Sequence, residues 1–315
     1  MDPRFRNPPK DKNGEPLFKF KFEPIKHSNK EDFLSFRIEG VTLPFVNALR
    51  RIIYAEVPSL AIELVEFSEN KSPLTEEFIA HRLGLIPLAY TEDKLVNHSD
   101  CHCGGSCPNC EILFSLDVTC DTEEHLVVRA DSLSTDHAEF APVHQEHPIV
   151  LFKLAKNQSV SLQATARRGT GKDHAKWCPV SNATFKIEPE ITLNQESLLT
   201  VSSDDRQALV SSCPTNVFEL DESTRTIKIA DADACTYCAE CLDLSQQLAQ
   251  QYEIPRPIRI KESDPPKFVF TIEGTGSVPV GSIYKQATEI LKKRLASLKS
   301  NWNALRDQQN QVDVS

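Results

Sequence analysis

Glycine is scarce in this 315-residue chain, ten in all, and none occurs from Lys172 to Glu273. Phosphate cradles need glycines where the backbone approaches the ligand, so no nucleotide loop lies in that stretch. The nearest thing to one, Gly169-Thr170-Gly171-Lys172-Asp173, has Asp where a phosphate loop needs Ser or Thr. Long apolar runs are missing too: nothing approaches the roughly 20 residues that cross a bilayer. The opening MDPRFRNPPKDKNGEP has no apolar core, so the expectation is an intracellular protein with neither a secretory signal nor a membrane. Excess positive charge is absent. Lys and Arg number 35 against 45 Asp and Glu, a net −10, and such a surface repels DNA on average. Catalytic groupings fail as well. No Ser or Cys can be matched to a His and an Asp, and His137, His144 and His147 have neither a nucleophile beside them nor helical ligand spacing. Asp231 and Asp233 read as the turn into Cys235 rather than as a Mg²⁺ pair. The chain is expected not to be an enzyme.

What the sequence does have is cysteine, ten residues. Intracellular thiols stay reduced, so metal binding is favoured over a disulfide framework. All but Cys120 and Cys178 fall into two groups. Cys101, Cys103, Cys107 and Cys110 form C-x-C-x3-C-x2-C, with Gly104 and Gly105 between them. Four thiolates this close can wrap one Zn²⁺ tetrahedrally and leave no open position, so the ion is expected to be structural. His98 and His102 are the substitutes in reach. Cys235, Cys238 and Cys241 form C-x2-C-x2-C, and Cys213-Pro214 lies upstream. Ferredoxins take three ligands of a cubane from such a run and the fourth from a Cys-Pro elsewhere, and SCPTNVFEL and TIKIADADAC resemble the hairpin between ferredoxin half-motifs. A [4Fe-4S] cluster is the first reading of this group. A second Zn²⁺ and an empty remnant are the others. Electron transfer does not follow, because no flavin, nicotinamide or second-cluster signature is present to receive electrons.

Period and punctuation give the organisation. Residues 1–16, rich in proline and charge, read as a disordered arm. Phe18, Phe20, Phe22 and then Leu34, Phe36, Ile38 alternate as half-buried strands about a turn at SNKED. In VTLPFVNALRRIIYAEVP the apolar residues Phe45, Val46, Leu49, Ile52 and Ile53 lie on one helical face, opposite Asn47, Arg50 and Arg51. Thr42 can cap its start, Pro44 suits its first turn and Pro58 marks its end. A similar unit returns near the C-terminus: Phe268, Phe270 and Ile272 alternate, and a helix is expected from about Gly281 to Asn310. Along it Leu291, Leu295, Leu298, Trp302 and Leu305 step by four and three, a coiled-coil-like seam. Between these units run short strands and polar loops, with no fixed repeat.

At this point a resemblance can be stated. Val46-Asn47-Ala48-Leu49-Arg50-Arg51-Ile52-Ile53 with Ala55-Glu56-Val57-Pro58 is similar to the dimerisation helix of the RNA polymerase alpha family, and Phe78-Ile79-Ala80-His81-Arg82-Leu83-Gly84-Leu85-Ile86-Pro87-Leu88 resembles that family's most recognisable stretch. The likeness runs from about residue 17 to 305. The zinc loop and Gly171-Lys172-Asp173-His174-Ala175-Lys176-Trp177 point to the polymerase II branch; the member shared by polymerases I and III typically lacks the loop. The second cysteine group is typical of archaeal members and degraded in many eukaryotic ones, yet complete here. The resemblance implies an α+β fold: a two-layer α/β dimerisation domain (17–60 and 258–306), a mostly β insert domain (61–200 and 242–257) with its zinc loop at 98–112, a ferredoxin-like subdomain (201–241) and a tail (307–315). It implies a non-catalytic nuclear scaffold that pairs with a smaller alpha-like subunit and then recruits the second-largest catalytic subunit and two small zinc-binding subunits. Phe45, Leu49, Ile52, Ile53 and the seam would form the pairing interface. No direct sequence-specific DNA binding is expected. The competing readings of another class are an iron–sulfur electron-transfer protein using the second cysteine group and a zinc-dependent nucleic-acid binder using Arg167, Arg168, Lys172 and Lys176, cations that are expected to meet a neighbouring subunit instead.

Overall fold

The computed structural model describes residues 21–24, 32–91, 94–221, 223–224 and 226–312. The expected arm, Phe18, Phe20, most of the SNKED turn and the last three residues lie outside them. Strands β1 (Lys21–Pro24) and β2 (Phe33–Glu39) precede helix α1 (Leu43–Ala55), the long strand β3 (Pro58–Asn70) and helix α2 (Glu76–Gly84). Strands β4 (Glu111–Thr119), β5 (Leu126–Arg129), β6 (Val150–Leu154), β7 (Ser159–Thr170), β8 (Val180–Ile187) and β9 (Pro189–Leu193) follow. Helices α3 (Gln195–Thr200) and α4 (Ser203–Ser211) lead to strands β10 (Phe218–Asp221) and β11 (Thr226–Ile229). Helix α5 (Glu240–Gln251), strands β12 (Ile258–Glu262) and β13 (Lys267–Gly274) and helix α6 (Val280–Val312) close the order. The described residues form two compact units, one from 21–24, 36–42 and 185–270, the other from 32–35, 43–184 and 271–312.

In the larger unit an antiparallel sheet runs in the order β3-β7-β4. Pro58 stands opposite Thr170 and Glu111 opposite Arg167. The central strand buries Val160, Leu162, Ala164 and Ala166 on one face, the period of two that a half-covered sheet requires. Strand β3 is not assigned by periodicity. Its first five residues are all buried, and register shifts at Ile62/Leu64 and Phe67/Glu69 break the alternation, as bulges do. Helix α1 forms where its apolar spacing places it and buries Val46, Leu49, Ile52 and Ile53. Helix α6 contributes Val280, Ile283 and Ala287 to the same unit's core. It runs six residues into the expected tail because no Gly or Pro follows Gly281 to stop it.

The smaller unit holds two aromatic and aliphatic clusters. Phe36 stacks on Phe270 at 5.4 Å, and Phe185 meets Phe268 edge-on at 6.0 Å. β1 pairs antiparallel with β2, Phe22 opposite Ile38. The second cluster contains Leu198, Leu209, Val217, Ile227, Leu248 and Ile258, all buried, together with Cys213, Cys235 and Cys241. Asn194 and Ser202 cap the two short helices, accepting from the backbone N–H of Ser197 and Asp205, so each satisfies one of the donors its helix start leaves open. The β10–β11 hairpin stands between Cys213 and the C-x2-C-x2-C run, as its sequence suggested. Among the described residues no helix is long and apolar enough to cross a membrane.

Candidate functional site

The first cysteine group sits on a loop between a short 3-10 turn at His98–Asp100 and strand β4. Its sulfurs converge: Cys101 to Cys107 3.6 Å, Cys107 to Cys110 3.6 Å and Cys103 to Cys110 3.8 Å. All four lie within 4.8 Å of one another. A tetrahedral ion with Zn–S bonds of about 2.3 Å holds its sulfurs about 3.8 Å apart, so the donor set fits a single zinc-sized cation. Gly104 makes the turn at φ +71, where a β-carbon would be strained. Cys110 is fully buried, and burial pushes its thiol up to about 12. Cys103 is exposed; its hydrogen bond with the Gly105 backbone, then its sulfur neighbours, bring it down to about 7. A divalent ion at the centre would resolve the contrast, because coordination deprotonates thiols outright.

Around this loop the charges are arranged in pairs. The buried Glu111 carboxylate takes bonds of 3.1 and 3.0 Å from Arg167 Nε and Nη2, and Arg167 Nη1 reaches Glu63 at 3.3 Å. Burial pushes Glu111 up, but bonds from Ser106 and Arg167 outweigh it and hold the carboxyl below its usual range. His98 Nδ1 lies 3.6 Å from Cys110 Sγ, and His98, Cys110 and Glu111 form a second set within 4.8 Å. His102 joins neither set. Arg168 donates to Leu95 O at 3.2 Å, while Lys176 donates to Ile62 O at 3.0 Å and lies 4.3 Å over the Trp177 ring. Of the four cations considered for nucleic acid, three are therefore committed inside the chain. The Gly169–Gly171 stretch has a packing cause. A β-carbon at Gly169 would meet the Trp177 ring at 2.5 Å, and one at Gly171 would meet Tyr54 O at 2.0 Å.

The second group is built differently. Cys213 follows α4, Cys235 ends a 3-10 turn, Cys238 lies in the loop and Cys241 opens α5. Three are buried and Cys238 is exposed. All four line one pocket with Thr215, Val217 and Tyr237. Their sulfurs are not drawn together: among the described residues, the only sets of three or more ligand atoms within 4.8 Å of one another are the two near the first loop. Val217 N–H donates to Cys213 Sγ at 3.4 Å, and Thr215 Oγ1 lies 3.6 Å from it. Burial pushes the Cys241 thiol up to about 11. The backbone takes left-handed turns at Asn216 (φ 54), Tyr237 (φ 56) and Ala239 (φ 68). Such turns at residues with a β-carbon cluster at functional sites. Periodicity gave no sign of them.

The expected pairing residues separate into two sets. Leu49, Ile52 and Ile53 are no more than 3% exposed, covered by the chain's own core, so they have no surface left for a partner. Phe45 is 36% exposed and Leu43 beside it 48%. Along α6, Leu291 is half-buried, then Leu295, Leu298, Trp302 and Leu305 are 56, 65, 60 and 62% exposed. The signal for this division was in the spacing only as a continuous stripe; where the core stops along it was not.

Residues 65–185 match the family model of the RNA polymerase Rpb3/RpoA insert domain. Over 279 residues the chain is 35% identical to DNA-directed RNA polymerase II subunit rpb3 of Dictyostelium discoideum, an alignment covering 85% of this chain and 91% of that protein. It is 36% identical over 285 residues to DNA-directed RNA polymerases II, IV and V subunit 3 of Arabidopsis thaliana, covering 86% and 88%. It is 32% identical over 260 residues to DNA-directed RNA polymerase subunit Rpo3 of Methanosphaera stadtmanae, covering 82% and 90%.

Proposed function

The chain belongs to the alpha-like family of DNA-directed RNA polymerase subunits, on the branch of RNA polymerase II subunit 3, and from that premise we propose which of its parts do the assembling. It is a non-catalytic assembly subunit of the polymerase. Its site of action is the nucleus. It pairs with a smaller alpha-like subunit, and the pair recruits the second-largest catalytic subunit and two small zinc-binding subunits. One observation carries the pairing surface: four large apolar side chains of one helical stripe, Leu295, Leu298, Trp302 and Leu305, each more than half exposed. Such a stripe costs solubility alone and is stabilised by cover, each buried Leu contributing about 1.5–3 kcal/mol. Leu43 and Phe45 at the start of α1 are exposed as well.

The two cysteine groups serve as structural cross-links within this scaffold. The first holds one Zn²⁺ through Cys101, Cys103, Cys107 and Cys110, which the sulfur spacing supports. The second holds a [4Fe-4S] cluster through Cys213, Cys235, Cys238 and Cys241. Sulfurs spread around a pocket, with N–H and hydroxyl groups turned on Cys213, suit a group larger than one ion. In the insert domain the zinc loop is local, so its loss should spare the rest of the fold.

The test is co-purification with the smaller alpha-like subunit of the same organism. Wild type should bring the partner down. Leu298→Asp should not, because its carboxylate must be desolvated in the contact, while the variant's circular dichroism matches wild type. Unimpaired pairing of Leu298→Asp would mean a different interface. Anaerobic metal analysis of the complex should find about one zinc and four irons per chain, the zinc lost in Cys107→Ser and the iron in Cys238→Ser. Iron-free protein carrying two zincs would make the second group a zinc site.

A further inference from the structure

The seam of α6 carries information beyond its apolar surface. Leu291, Leu295, Leu298, Trp302 and Leu305 are spaced four, three, four and three, the a/d alternation of a coiled coil. With Leu295 and Trp302 at a, and Leu291, Leu298 and Leu305 at d, the e positions are Lys292, Lys299 and Arg306. All three are basic and exposed. The g positions are Arg294, Asn301 and Gln308, none of them acidic. This is a one-signed flank on a chain whose net charge is −10.

Within the chain, Lys292 and Lys299 are little neutralised. Arg294 at g is met by Glu56 at 2.8 Å. Lys292 has only Glu289 of its own helix, 3.8 Å away with both side chains over half exposed. Lys299 has no ion-pair partner among the described residues. Charges at e and g choose partners and register in helix pairs. An antiparallel second copy would set e against e, cation on cation. A parallel copy would set e against g and find no carboxylate there. We propose that the seam of α6 accepts an amphipathic helix of a different chain with carboxylates flanking its apolar stripe, and that its basic e row excludes a second copy of this chain. This rests on the pairing role above. The exposed a and d residues between the cations argue for a helix rather than nucleic acid, since phosphate backbones leave such apolar surface uncovered.

A competition reads this directly. Differently tagged wild-type and variant full-length chains are co-expressed with a limiting amount of the smaller alpha-like subunit of the same organism, and mass spectrometry gives the ratio of tags in the complex. Reversing the row together, Lys292→Glu with Lys299→Glu and Arg306→Glu, should disfavour the variant by at least about tenfold at low salt. Assembly at about 0.5 M salt should narrow the gap, because exposed charges are screened. Lys293→Glu, one step outside at f, should compete within about twofold. A triple variant that competes equally at low salt, while Leu298→Asp fails to pair, overturns the charge rule and leaves the pairing reading standing. Pairing of Leu298→Asp at the wild-type level overturns both. Sedimentation supplies a further arm: a wild-type dimer of this chain alone that Leu298→Asp dissolves makes a second copy the occupant and overturns the proposal. So does loss of duplex DNA binding in the triple variant with subunit pairing unchanged.

Discussion

The two cysteine groups use the same ligand in similar short spacings, yet the fold treats them in opposite ways. The first is a self-contained loop: four sulfurs from ten residues, gathered within 4.8 Å, with Gly104 making the turn and two of the thiols half-exposed. The second draws Cys213 from 22 residues before Cys235, lies against a buried aliphatic cluster, and bends its backbone at residues that carry β-carbons. The difference teaches that spacing fixes how many donors are available, whereas the surrounding wall fixes how far apart they stand and what their loss costs. A loop can lose its ion locally. A ligand that is also core cannot be lost locally.

The largest expected effect tests that contrast. Cys241→Ser puts a hydroxyl among apolar neighbours, about 1–3 kcal/mol without a partner, and removes a ligand as well. Its melting temperature should fall by roughly 10 °C. Cys103→Ser, on the exposed loop, should release zinc yet melt within about 2 °C of wild type. Equal losses in calorimetry of the two variants would erase the distinction. A smaller effect comes from Gly104→Ala. There is open space for the methyl group, so the cost is the left-handed backbone alone, about 1–2 kcal/mol. Zinc should bind roughly tenfold more weakly in a chelator competition; undiminished affinity would show that the turn does not hold the loop. The smallest is the reverse change in the other site. Ala239 has φ 68 and starts α5 without a side-chain cap, so Ala239→Gly should relieve strain and raise the melting temperature by about 2–4 °C with iron content unaltered. A fall instead would mean that the Ala239 methyl group contributes more by packing than its backbone costs.

Much of this was legible in residues. The alternation of Phe36 and Ile38 and of Phe268, Phe270 and Ile272 gave the strands that bury them, because period two has one physical cause. The C-x-C-x3-C-x2-C run gave the first site whole, since four donors within ten residues have few ways not to meet. Strand β3 was not legible: two bulges and a doubly buried start erase its alternation. Helix α5 was hidden by a polar sequence, ECLDLSQQLAQQ, whose buried face is Cys241, Ser245 and Leu248. The Leu49 face and the Leu298 seam looked alike in sequence, and one is core while the other is surface.

By itself, then, the sequence determined the spacing of the two cysteine groups, the helical stripes and the one-signed row Lys292, Lys299 and Arg306, because each depends only on residue type and period along the chain. Only the tertiary structure decided which stripe is covered, that Arg167, Arg168 and Lys176 are committed to partners within the chain, and that Gly169 and Gly171 make room for Trp177 and Tyr54. Those facts depend on residues distant in the chain arriving at one place, and no local period records which neighbour arrives.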